Sequence, residues 1–278
     1  MKLKLFIIPF ICILFFNCAS RKIKDITYLT NTEKTNDNKP TLNVFEPKKT
    51  NTDKNAVVIF VHGGYWKDGD KKTYGFLGRN FAKNDIVTVI PGYTLSPNAN
   101  YDLMAKQIAR VVEWTKNNID KYKGDPNQIY VMGHSAGGHL VALISTNPKY
   151  LKNKKDIKGV ILNDAAGLDM KSYLEENPPT SKYHYDVTWT KNPKNWKDAS
   201  PIYFINDETP PFLIYVGSKT YPSIMTSNTA FVEALKPYQP KLEKIVLDKK
   251  HVPMMSHYFF PWVKRYDEIV NFINKTKI

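Results

Sequence analysis

The 278-residue chain is predicted to be an α/β domain with a mostly parallel central sheet and helices on both faces. Three observations predict it. Apolar runs of strand length recur along the chain, as in "AVVIFVHGG" (residues 56–64), and such runs fit strands buried on both faces. Segments of helical period separate them, and strand–helix alternation implies parallel pairing. Finally, 42% of the residues are apolar, enough for a chain of this length to bury a substantial core.

Taken in order, the chain begins with "MKLKLFIIPFICILFFNCAS". A short basic start precedes an apolar stretch from Leu5 to Phe16, too short for an ordinary membrane-spanning helix and suited to a signal-peptide core. Its end, Phe15-Phe16-Asn17-Cys18, resembles the lipobox of bacterial lipoproteins, with Asn17 where a small residue is usual. The resemblance implies a leader over residues 1–17, export, lipidation of Cys18 and anchoring in the cell envelope. An uncleaved anchor and an ordinary secretory signal are the alternatives. The only cysteines are Cys12 and Cys18, so a cleaved chain forms no internal disulfide. Residues 18–39, polar and without sustained period, read as a tether ahead of a folded domain over 40–278.

Within that domain "DIVTVIPGYTL" is a second buried strand and "TYGFLGRNFAKN" the helix before it. Residues 102–122 place Met104, Ile108, Val111, Val112 and Ile119 on one helical face. "NQIYVMGHS" is a strand followed by the helix "AGGHLVALIST". "DIKGVILNDAA", "PPFLIYVGS" and "KLEKIVLDKK" supply three more strands, with the helix "TSNTAFVEALKPY" between the last two. "PWVKRYDEIVNFINKT" is the closing helix. Residues 170–197, rich in prolines and aromatics, break the alternation and read as a cap in which Tyr183, Tyr185 and Trp189 line a pocket or simply pack.

The formal charge is +14. The lysines are scattered through solvent-facing segments such as "LKNKKDIK", with no basic stripe and no interleaved aromatics, which argues against a nucleic-acid partner. The histidines show no metal-ligand spacing, and no metal or cofactor is implied.

One short stretch carries chemistry. In Gly133-His134-Ser135-Ala136-Gly137 a serine stands between a predicted buried strand and a predicted helix, the context of a nucleophile elbow. A sharp turn of this kind has no room for side chains beside the serine, and the helix N-terminus stabilises negative charge near it. About seventy residues earlier, "HGGYW" follows another buried strand, where glycines let backbone N–H groups approach an oxyanion.

These two motifs, with "GYTLSP" between them and "DASPI" after, resemble the kynurenine formamidase and carboxylesterase branch of the α/β-hydrolase superfamily, from about residue 56 to the C-terminus. The resemblance implies that Ser135 is the nucleophile and that Gly63, Gly64 and the N–H of Ala136 build the oxyanion hole. It places the base in the loop after the last strand, at His251, with His257 as a rival at the start of the final helix. His134 and His139 read as packing residues, and His62 as a support of the oxyanion loop.

The acid departs from the family pattern. Where Asp is expected after "PPFLIYVG", this chain has Thr220, which can hydrogen-bond but cannot stabilise an imidazolium as a carboxylate does. Asp164, at the end of an apolar run where a lone carboxylate is costly, is the replacement; a turn or capping role is the competing reading. Asp169 and Asp248 read as structural. The resulting expectation is an exported serine carboxylesterase working through an acyl-enzyme on a small ester. An arylformamidase is the first alternative, and a binding lipoprotein that has lost efficient catalysis the second.

Overall fold

The computed structural model describes residues 20–277 apart from 31, 32, 34–38, 51 and 53. Among the described residues eight strands form one sheet: β1 (Ser20–Thr27), β2 (Thr41–Pro47), β3 (Asn55–Val61), β4 (Val87–Pro91), β5 (Gly124–His134), β6 (Gly159–Asn163), β7 (Phe212–Lys219) and β8 (Lys244–Lys250). Their order is β1-β2-β4-β3-β5-β6-β7-β8. Strands β4, β3, β5, β6, β7 and β8 are mutually parallel, while β2 and β1 extend the sheet in antiparallel fashion.

Strand residues alternate between two faces, as a two-residue side-chain period requires. Val57, Ile59 and Val61 of β3 join Val131 and Leu162 on one face. There they meet Met104 and Ile108 of α2 (Tyr101–Asn118), Leu140 and Leu143 of α3 (Ala136–Thr146) and Phe231 of α7 (Pro222–Leu235). Val58, Phe60, Tyr130 and Met132 face the other way, against Leu77 and Phe81 of α1 (Gly75–Ala82) and Tyr266 and Ile269 of α9 (Lys264–Thr276). Helix α3 is buried along its whole length, the behaviour of a helix that is apolar all round. The segment over 170–197 folds as α4 (Met170–Glu176), α5 (Tyr185–Thr188) and α6 (Lys194–Asp198), and α8 (Pro253–Ser256) follows β8.

Two sequence readings need correction. The tether expected over 18–39 is not one in its first part, because Ser20–Thr27 is the edge strand β1, paired from Ser20 opposite Pro47 to Thr27 opposite Thr41. A bulge interrupts the register between Ile23 and Ile26, and Asp25 within it takes φ 56°. Both isoleucines therefore pack on the same core although they are three residues apart, which destroys the two-residue alternation that marks a strand. The charged residues between them suit an edge. His257 does not open the final helix: α9 begins at Lys264, and His257 starts a single 3-10 turn, His257–Phe259, before it.

Candidate active site

Ser135 joins β5 to α3 with φ 54° and ψ −123°, a strained conformation for a residue with a side chain. The surrounding backbone enforces it. A Cβ at position 133 would lie 2.3 Å from the Gly137 carbonyl oxygen, and one at 137 would lie 2.1 Å from that of Val61. The turn thus closes on itself and on β3, and only glycine fits at either flank. The Ser135 carbonyl accepts from the N–H groups of His139 and Ala166, both at 3.1 Å.

The Ser135 hydroxyl lies 2.8 Å from His251 Nε2, and His251 Nδ1 lies 2.6 Å from Asp164 Oδ2. All three residues are buried. A carboxylate can only accept, so in the neutral imidazole Nδ1 carries the proton and Nε2 accepts from the serine. His251 follows β8 in a loop held from below. His134 donates its Nε2–H to the His251 carbonyl at 3.2 Å, and Asn163 donates to the Met254 carbonyl at 3.0 Å. Burial, reinforced by the neighbouring His251, pushes His134 down to about 3, so it remains a neutral donor.

Asp164 follows β6 with φ 53°, its N–H bound to the Tyr215 carbonyl at 2.8 Å. Its Oδ1 accepts from Gly217 N–H at 2.8 Å, and Oδ2 accepts from Thr220 Oγ1 at 2.5 Å as well as from His251. The buried carboxylate is therefore fully partnered, which is what makes its burial tolerable. Thr220, at the position where the resemblance expects an acid, touches that acid instead.

The "HGGYW" loop passes beside the serine. A Cβ at position 63 would lie 2.8 Å from both Ser135 Cβ and the His134 carbonyl oxygen. Gly64 takes φ 128°, and its carbonyl receives the N–H groups of Lys67 at 3.0 Å and Asp68 at 2.8 Å. "GYTLSP" holds both ends of this loop: Tyr93 donates its hydroxyl to the His62 carbonyl at 2.9 Å, and Ser96 N–H donates to the Trp66 carbonyl at 2.9 Å. Trp66 donates its indole N–H to His139 Nδ1 at 3.2 Å, and His139 Nε2–H reaches the Ala199 carbonyl of "DASPI" at 2.7 Å. One buried histidine thus ties the glycine loop to the helix behind the serine. Ala136 is the first residue of that helix, so its N–H has no intrahelical acceptor.

A family model described as BD-FAE matches residues 42–233. The chain belongs to the BD-FAE family. It is 28% identical over 209 residues to esterase LipC of Mycobacterium tuberculosis, across 70% of this chain and 52% of the relative. To the kynurenine formamidase of Salmo salar it is 35% identical over 122 residues, 44% of this chain and 40% of the relative. The chain thus spans about half the length of these relatives. Among solved structures, a phosphonate-inhibited esterase B of Lactobacillus rhamnosis superposes with a TM-score of 0.75 at 17% identity, covering 93% of this chain and 86% of the other. The fold is that of the α/β-hydrolases, and the BD-FAE chain falls in their kynurenine formamidase and esterase-like branch.

In this BD-FAE chain the serine and histidine lie on the wall of a cavity of about 460 Å³, lined also by Tyr65, Tyr173, Tyr183, Tyr185 and Tyr221. Two of the three expected cap residues reach it. Trp189 does not: it is fully buried, edge-on to Trp66 at 4.6 Å and to His139 at 5.3 Å, and so supports the glycine loop from behind. Tyr65 and Tyr221 escaped the sequence reading, although Tyr65 lies inside the glycine motif and Tyr221 follows Thr220. Both line the cavity, and their hydroxyls lie 3.1 Å apart. His257 is not part of the serine–histidine–aspartate contacts. Asp248 pairs with Lys219 at 2.7 Å, and Asp169 caps α4 by accepting from Ser172 N–H at 3.1 Å. Among the described residues no group of three or more His, Cys, Asp or Glu could hold a metal ion. Cys18 lies outside the described residues.

Proposed function

We propose that the chain is a serine carboxylesterase acting on small carboxylic esters. The observation that carries the reading is the continuous hydrogen-bond line from Ser135 through His251 to Asp164 beside an aromatic-walled cavity. In the proposed cycle Ser135 Oγ attacks the ester carbonyl while His251 Nε2 takes its proton. Asp164 stabilises the imidazolium so formed. The tetrahedral oxyanion is received by Ala136 N–H, beside the N-terminus of α3, and by N–H groups of the loop at Gly63 and Gly64. Collapse expels the alcohol with the proton from His251, and water repeats the sequence on the acyl-enzyme.

A cavity of this volume is of small-ligand size. Esterase LipC and esterase B are named for ester cleavage, and both support an ester substrate. The similarity to a kynurenine formamidase supports a second reading, cleavage of an aryl formamide by the same residues. As to location, residues 1–17 and Cys18 support an exported chain held in the cell envelope by a lipid on Cys18.

The test is labelling by a fluorophosphonate probe, followed by kcat/KM for p-nitrophenyl acetate and N-formylkynurenine. Labelling that maps to Ser135, with ester preferred over formamide, is expected. A strong preference for the formamide would select the second reading. Folded protein that takes no label would leave a binding protein on a hydrolase fold.

A further inference from the structure

The proposed reaction uses Ser135, His251 and Asp164 and assigns nothing to Thr220. This half-buried residue directly follows β7, its N–H bonded to the Gly217 carbonyl at the end of that strand at 3.2 Å. Its hydroxyl donates to Asp164 Oδ2 at 2.5 Å, the same oxygen that accepts from His251 Nδ1 at 2.6 Å. The other carboxylate oxygen is held by Gly217 N–H at 2.8 Å. Two donors from the end of β7 thus grip a carboxylate that comes from the end of β6.

The grip has a chemical consequence. A carboxylate held only at Oδ1 can turn about its last side-chain bond, and Oδ2 then leaves the line of the imidazole N–H. A donor on Oδ2 fixes that rotation. The group at 220 must also carry no negative charge, because a second carboxylate there would stand against Asp164, and two like charges at that distance cannot both stay ionised. A threonine, stiff at its first side-chain torsion, meets both requirements. The two strand ends have in this sense exchanged chemistry, with the acid on β6 and the hydroxyl where the acid was expected.

We infer that Thr220 is a positioning residue, whose hydroxyl holds the Asp164 carboxylate in line with His251 Nδ1. The inference rests on the reading of Ser135, His251 and Asp164 as the reacting set. Thr220→Val, which keeps the shape and removes the hydroxyl, is expected to lower kcat for p-nitrophenyl acetate about tenfold or more with KM within about twofold, as for a charge-assisted hydrogen bond needed only as the imidazolium forms. Thr220→Ser should stay within about threefold of the wild type. In an Asp164→Asn background, Thr220→Val should cost less than about twofold, because the group it positions has already lost its function.

Wild-type kcat in Thr220→Val would overturn the inference. So would an equal fold-loss in both backgrounds, the mark of a merely structural role. If circular dichroism shows Thr220→Val unfolded, Thr220→Ala supplies the second hydroxyl-free variant, and the same comparisons apply. Wild-type protein unlabelled at Ser135 by a fluorophosphonate overturns the triad reading and this inference with it. Labelled wild type with an unaffected Thr220→Val overturns this inference alone.

Discussion

Asp164→Asn separates the roles that sequence allows for this residue, and the structure sets the size of the effect. Three donors face the side chain: Gly217 N–H, Thr220 O–H and His251 Nδ1–H. Asparagine has one oxygen and one amide nitrogen. Gly217 N–H is a fixed donor that can only be answered by the oxygen, so the NH₂ must turn toward Thr220 and His251. Thr220 adapts, since a hydroxyl also accepts. His251 adapts only by moving its proton to Nε2, and that nitrogen then presents N–H to Ser135 in place of a lone pair. The base is thus held in the wrong tautomer with the geometry unchanged. A loss of this kind is worth about 10⁴-fold in kcat, equivalent to about 5 kcal/mol of transition-state stabilisation. The assay is kcat and KM on p-nitrophenyl acetate, with circular dichroism to show that the fold persists. KM should change little. Activity within tenfold of the wild type would falsify the assignment and reduce Asp164 to a residue that merely organises the strand end.

Three further outcomes follow from the same contacts. His251→Ala should abolish all but about one part in a million of the ester hydrolysis, whereas His257→Ala should retain most of it; the reverse ranking in a steady-state assay would show that the base is misassigned. Burial pushes His139 and His257 down to about 4 and His134 to about 3, from an ordinary value of 6.5, so in acid the unfolded chain binds protons that the folded chain refuses. Stability should therefore hold above pH 6.5 and fall toward pH 4, by at most about 3 kcal/mol for a group such as His139, and a Tm unchanged between pH 7.5 and 5 would contradict it. If Cys18 carries lipid, the expressed chain should sediment with membranes and Cys18→Ser should leave an unprocessed or redirected product; wild type found only in the soluble fraction would refute the anchor.

The parts of this molecule that were legible in sequence are those whose cause is local. The buried strands announce themselves because residues such as Val57 to Val61 are covered on both faces and must all be apolar. The elbow glycines announce themselves because backbone oxygens stand only 2.1 and 2.3 Å from where their side chains would begin, too close for any Cβ. Strand β1 was hidden for an equally local reason, since the bulge at Asp25 breaks the period by which a strand is read. For Trp189 sequence leaves pocket lining and packing both open, because an aromatic in a cap segment looks the same whether it faces the substrate or the underside of the glycine loop. Tyr65 and Tyr221 were missed because they face each other from positions 156 residues apart.

Sequence offers Asp164 as the acid but leaves a capping role open beside it, because its partners are 53, 56 and 87 residues away and only sheet order brings them together. That order also explains why the acid can stand on β6. The His251 loop leans across the sheet, with one carbonyl held by His134 at the end of β5 and another held by Asn163 at the end of β6. The imidazole therefore stands over the ends of β5 and β6. An acid at the end of β7 would have to reach back across one strand spacing, about 4.8 Å, whereas Asp164 rises beside it, turned outward by its positive φ. The end of β7 still contributes, through Gly217 and Thr220, donors that hold the carboxylate without competing for its charge. What the fold requires at this edge is a negative charge under the imidazole and donors around it, and adjacent strands can supply the two in either order.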